Sequence, residues 1–184
     1  TFWENLLAGR CAIGEVPVER WDPALHWSED RKASDRTYSK IGGFVSELPF
    51  DRRTFRIPPR VVQSLDRTQV MALTATHEAL TDAGLLDNPA FDKSRCAVVI
   101  GNSMGGEMRL ATSLRSELPG LQVNLASALA EAGIAKGAAD AIRSRFEELA
   151  NTDRPAITED TMPGELPNCI AGRIAGTFDL GGPS

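Results

Sequence analysis

The chain has 184 residues, 42% of them hydrophobic, and a formal net charge of -5 from 20 Lys and Arg against 25 Asp and Glu. That supplies one core but is short for two independent domains, and the acidic balance, with no basic stripe interleaved with aromatics, argues against a nucleic-acid partner. No apolar run approaches the roughly 18 residues that cross a bilayer, and no charged and apolar leader opens the chain, so a soluble, cytoplasmic protein is expected. Cys11, Cys96 and Cys169 are odd in number and far apart, with only His26 and His77 to help them, which leaves neither a disulfide framework nor a metal site in prospect. The absence of an initial methionine and the turn chemistry of Gly181-Gly182-Pro183-Ser184 read as a piece of a longer polypeptide.

In chain order, Thr1-Phe2-Trp3-Glu4 has the form of a capping box and predicts a short helix ending near Gly9. Residues 10 to 58 are irregular, rich in Trp, Pro and mixed charge, and predict a long connection with one weak strand at Gly43-Phe44-Val45. Pro58-Pro59 starts a helix, and Asp66 caps the next, which runs to Gly84 with Val70, Leu73, His77 and Leu80 on one stripe. His77 there reads as a buried, hydrogen-bonded core residue. Residues 95 to 101 predict a strand buried on both faces of a parallel sheet, because the run is β-branched without polar alternation.

Helical patterns follow at about 105 to 117, 123 to 132 and 137 to 151, the last with Ala141, Ile142, Phe146 and Leu149 on one side. Residues 151 to 163 form a loop. The closing helix, Leu166 to Phe178, places Gly172 and Gly176 four residues apart, which suggests that another backbone packs closely there. Cys169, amid Leu166, Ile170 and Ile174, reads as a core cysteine without a base or a positive helix end to activate it.

Gly101-Asn102-Ser103-Met104-Gly105 spells G-x-S-x-G, the nucleophile elbow of α/β-hydrolases. That mechanism places its histidine after the serine, and both histidines here precede Ser103. As a phosphate cradle the turn lacks the middle glycine and a ribose-binding acid roughly 20 residues on. A plain sharp turn from strand to helix remains.

The end of the chain carries more information. Leu166-Pro167-Asn168-Cys169-Ile170-Ala171-Gly172-Arg173-Ile174-Ala175, then Phe178-Asp179-Leu180 and Gly182-Pro183-Ser184, resembles the segment that leads into the active-site cysteine of β-ketoacyl synthases. Phe2 to Gly9, Gly42-Gly43-Phe44 with Phe50-Asp51, and Leu65-Asp66 through Glu78-Ala79-Leu80-Thr81-Asp82-Ala83-Gly84 are similar to the matching stretches. The likeness covers nearly the whole chain but less than half of a ketosynthase; Tyr38-Ser39-Lys40-x-Gly42-Gly43-Phe44, Ile57-Pro58-Pro59 and the helical connection from about 107 to 160 look closest to iterative type I synthases, those making polyunsaturated fatty acids and, less closely, enediyne polyketides. Asp66-Arg67-Thr68-Gln69 departs from the Asp-Pro-Gln-Gln of many modular synthases, and His77 stands where they often have Trp.

The resemblance implies an α/β, thiolase-like condensing-enzyme fold, of which residues 1–184 would be the N-terminal part of a layered α/β/α/β/α architecture. It implies decarboxylative Claisen condensation of acyl and malonyl groups held on the phosphopantetheine arm of an acyl carrier protein, without metal or other cofactor, in a homodimer that is one domain of a multidomain synthase. The cysteine nucleophile and two assisting histidines would lie past Ser184, leaving no catalytic residue here. Met104 would contact the acyl chain or fill a gap in the core, and Thr161 and Met162 would reach toward the partner's acyl pocket across the dimer axis. A non-catalytic chain-length-factor partner and a hydrolase using Ser103 are the alternatives.

Overall fold

The computed structural model describes residues 2–46, 48–103, 106–152 and 154–184, which fall into two units, residues 1–48 and 49–184. In the first unit, helix α1 (Phe2–Leu7) closes through Gly9, whose φ of 58° lies in the left-handed region that favours glycine. Thr1, the expected cap, lies outside the described residues. Strand β1 (Ile13–Glu15) pairs antiparallel with β2 (Ile41–Gly43), Gly14 opposite Gly42. The strand therefore sits two residues earlier than the sequence suggested, and Phe44 leaves the ladder to lay its ring over Gly42, where a Cβ would come within 3.1 Å of it. Between the strands, α2 (Pro23–His26) is capped by Asp22, whose carboxylate accepts from the Ala24 N–H at 2.8 Å.

The core of the second unit is built on two helices in contact. Helix α3 (Pro59–Val62) begins at the expected proline pair, and α4 (Arg67–Asp82) starts from its Asp66 cap. Leu73 on α4 and Ile174 on α8 (Cys169–Phe178) are almost completely buried, at 0% and 1% exposure. Ile170, Ile174 and Phe178 recur every four residues, so one face of α8 enters a core shared with Phe55, Ile57, Leu65, Leu73 and Val98. Phe50 stacks on Phe55 at 4.9 Å, and the half-buried His77 ring stands edge-on to Phe55 at 5.8 Å and tilted against Phe178. His77 is thus an aromatic packing residue rather than the hydrogen-bonded core histidine expected.

Residues 95 to 101 do not join a sheet among the described residues. A 3-10 turn (Lys93–Arg95) is followed by extended chain in which the Val98 N–H donates to the Pro183 carbonyl and the Gly182 N–H to the Cys96 carbonyl. Burial is one-sided: Val98 is buried while Val99 is 89% exposed, and among the described residues the backbone partners of this stretch come from around Gly182.

Helices α5 (Glu107–Glu131) and α6 (Lys136–Asn151) form a hairpin. The expected break near Pro119 does not occur; α5 runs straight through it. A proline inside a helix removes the bond to the carbonyl four residues back, and tertiary contacts offset this: Leu118 is buried, and Gln122 and Arg143 exchange two hydrogen bonds between the helices, at 3.0 and 3.3 Å. Replacing Pro119→Ala is accordingly expected to stabilise the fold by about 1–3 kcal/mol, read as a raised denaturation midpoint. On α6 the expected apolar face of Ile142, Phe146 and Leu149 stays exposed, while Arg143 faces α5.

Candidate functional site

Asp66 is a short acid ahead of an apolar stripe, and its local task is to cap α4: Oδ1 accepts from the Thr68 N–H at 2.9 Å and from the Thr68 hydroxyl at 2.7 Å. Its other oxygen does something that the local sequence does not announce. Oδ2 accepts from the Met108 N–H at 2.9 Å, so the same carboxylate caps the first turn of α5. Two helix N-termini, each the positive end of a helix dipole, therefore converge on one acid that is 1% exposed. Gly106, the residue ahead of α5, lets the helix come this close: a Cβ there would lie 2.2 Å from Oδ1.

One turn along α4, Gln69 points the same way and is equally buried. Its Nε2 donates to the carbonyls of Pro163 and Gly164, both at 2.8 Å, and at 3.4 Å to that of Leu166. Its Oε1 accepts from Arg173 Nε at 2.6 Å. Arg173 also donates to the Pro163 carbonyl at 3.3 Å, and burial pushes its guanidinium below its ordinary range, partly opposed by Cys169 and Asp160. The Asp66 N–H donates to the Gly164 carbonyl at 2.9 Å, and Gly164 itself packs on the Ser64 carbonyl so closely that a Cβ would be 1.7 Å from that oxygen. Asp66 and Gln69 thus bind two distant segments: the first turn of α5, and the short helix α7 (Thr161–Glu165) with Arg173 of α8.

A groove of about 480 Å³ lies between α5 and α7, lined among others by Arg109, Ser113, Ser116 and Met162. Across it the Thr112 hydroxyl donates to Glu165 Oε2 at 2.7 Å. Thr161 and Met162 both border this groove but differ in what they offer it. Thr161 is buried, with its hydroxyl accepting from the Thr158 N–H at 2.8 Å, whereas Met162 is 61% exposed. Met104 lies outside the described residues, two positions before Gly106.

Ser103 is exposed, and the histidines are engaged elsewhere: His77 with Phe55 and Phe178, His26 edge-on to Trp21 at 6.1 Å. Cys169 is half-buried and opens α8 rather than lying inside it, correcting the expected position. Gly172 and Gly176 have nothing within 4 Å of an added Cβ among the described residues, while close approaches occur at Gly106, Gly164 and Gly182. Sequence reasoning noted Asp66 as a helix cap and Gln69 only within a motif; their i, i+3 spacing on a capped helix was the available signal for the pair. Among the described residues no group of His, Cys, Asp and Glu could hold a metal ion, and no helix is long and apolar enough to cross a membrane.

The family model described as "Beta-ketoacyl synthase, N-terminal domain" matches residues 1–184. One polyunsaturated fatty acid synthase polypeptide of Thraustochytrium sp. is 29% identical over 98% of this chain, which spans 6% of that protein. Pikromycin polyketide synthase component PikAIII of Streptomyces venezuelae is 33% identical over 86% of this chain, corresponding to 10% of its own length. Among solved structures, an oxazolomycin ketosynthase domain from Streptomyces albus JA3453 matches the whole chain with a TM-score of 0.66 and 26% identity, over 25% of that structure's chain.

Proposed function

Because this chain belongs to the β-ketoacyl synthase family, by that family's N-terminal domain, and shares its thiolase-like fold, we propose that it forms one part of a condensing site in a polyketide or polyunsaturated fatty-acid synthase. The observation that carries this reading is the match of the family over residues 1–184, joined to a structure in which the start of α5 and α7 are pinned to one helix. The substrates are acyl and malonyl thioesters on an acyl carrier protein. The working form is a homodimer within a multidomain protein.

In this proposal a cysteine thiolate outside residues 1–184 attacks the acyl thioester carbonyl and expels the phosphopantetheine thiol. Malonyl thioester then loses CO2, and the resulting enolate carbon attacks the enzyme-bound carbonyl. The cysteine leaves as thiolate, and the β-ketoacyl product remains on the carrier protein. Splitting acyl transfer from carbon-carbon bond formation is the advantage of covalent catalysis here. The present residues supply walls: Met104 toward the acyl chain, and Met162 toward the partner's pocket. Met162 suits that task because it is exposed, apolar and flexible, whereas the Thr161 hydroxyl is tied inward and supports the turn beneath it. Ser103 serves as a turn residue.

The test is incubation of the protein containing this chain with acyl- and malonyl-loaded carrier protein. A β-ketoacyl carrier protein with stoichiometric CO2 is the expected product, and the isolated 184-residue chain is expected to be inert. Failure of the whole protein to condense, while still binding acyl carrier protein, would favour the chain-length-factor reading.

A further inference from the structure

We propose that the groove between α5 and α6 binds a free α-amino acid with an apolar side chain. The groove, of about 450 Å³, combines three kinds of lining, cationic, acceptor and apolar, and such a molecule carries the complement of each. The cationic part comes from both helices: Arg115 lines the groove from α5 and Arg143 from α6. Arg115 donates from Nη1 to the Arg154 carbonyl at 2.9 Å, and Arg143 from Nε to Gln122 Oε1 at 3.3 Å. These bonds fix both side chains, and because a guanidinium carries five N–H donors, each keeps capacity for a carboxylate. Asp140 competes for Arg143 only at 3.8 Å and from an exposed position.

The acceptor part lies on α6. Asn151 Oδ1 is a buried oxygen with no hydrogen-bond partner among the described residues, a costly state that a donor entering the groove relieves. Glu147, one helical turn before it, adds a negative charge on the same side of the helix. A simple anion such as phosphate would meet Glu147 with like charge and leave the Asn151 oxygen unpaired. A zwitterion satisfies both ends, its carboxylate at the arginines and its ammonium group at Asn151 and Glu147.

Leu118, Pro119 and Val123 complete the α5 side, and Val123, 68% exposed, offers an aliphatic side chain apolar surface to cover. The bound molecule would tie α5 to α6 beside the Gln122–Arg143 pair, so it stabilises the hairpin by mass action. The site uses residues of the hairpin alone and stands whether or not the condensing reading above holds.

The test is calorimetric titration of leucine into the protein containing this chain. Saturable binding is expected, weaker by about tenfold or more for 4-methylpentanoate, which lacks the ammonium group, and for leucine methyl ester, which lacks the carboxylate. Glu147→Gln, at an exposed position, is expected to weaken leucine by about tenfold. Asn151→Leu is expected to do the same without lowering the thermal midpoint, because it removes a buried oxygen that has no bond to lose. No saturable binding of leucine would overturn the proposal, as would equal affinity for either analogue or an affinity unchanged in both variants. If Asn151→Leu does not accumulate as folded protein, Glu147→Gln decides.

Discussion

Gly164→Ala is expected to destabilise the protein by about 3 kcal/mol or more, while Gly172→Ala, on the next helix, is expected to stabilise it by about 0.5–1 kcal/mol. The first would force a methyl group to 1.7 Å from the Ser64 carbonyl oxygen, which is backbone and has no rotamer to turn away. Relief would require α7 to lift from α4, breaking the bonds from Gln69 and from the Asp66 N–H to the Gly164 carbonyl. The second faces open space on an exposed side of α8, where alanine has the better helix propensity. Denaturant midpoints of the pair measure both; equal shifts would mean that α7 does not press on the Ser64 carbonyl in solution.

Asp66→Ala is expected to cost about 3–4 kcal/mol, more than a single surface cap, because two helix starts lose their acceptor together. The Thr68 and Met108 N–H groups would be left facing a buried site with no partner. Amide hydrogen exchange distinguishes this from ordinary fraying: protection should fall at both Thr68 and Met108. Loss at Thr68 alone would show that α5 does not depend on this carboxylate.

What could be read from the sequence was local. Asp66 announces a cap, Gly84 a helix end matched by its φ of 65°, and Leu73 a buried stripe position. The second half of each signal was not legible, because it depends on which distant segment arrives. Gln69 meets Gly164 and Arg173 about a hundred residues later, a pairing that no helical periodicity encodes. The close approaches within the chain were illegible for the same reason: spacing within α8 singled out Gly172 and Gly176, while these approaches fall on Gly106, Gly164 and Gly182, fixed by tertiary packing.

Propensity was overridden in two places. Pro119-Gly120 is a break signal, yet α5 persists through it because α6 packs alongside. Residues 95 to 101 have the composition of a doubly covered strand, yet Val99 is exposed and the backbone finds its partners around Gly182. The exposed faces at Val99 and along Ile142, Phe146 and Leu149 carry apolar patterning without a cover among the described residues. The family, by contrast, was legible from the short motifs taken together, and its match extends over the whole chain.

The most direct measurement of the central claim is to load the protein containing this chain from an acyl carrier-protein thioester and locate the acyl group by peptide mass spectrometry. The account expects the acyl group on a cysteine outside residues 1–184, discharged when malonyl carrier protein is added. An acyl group on Ser103 or Cys169 would contradict it.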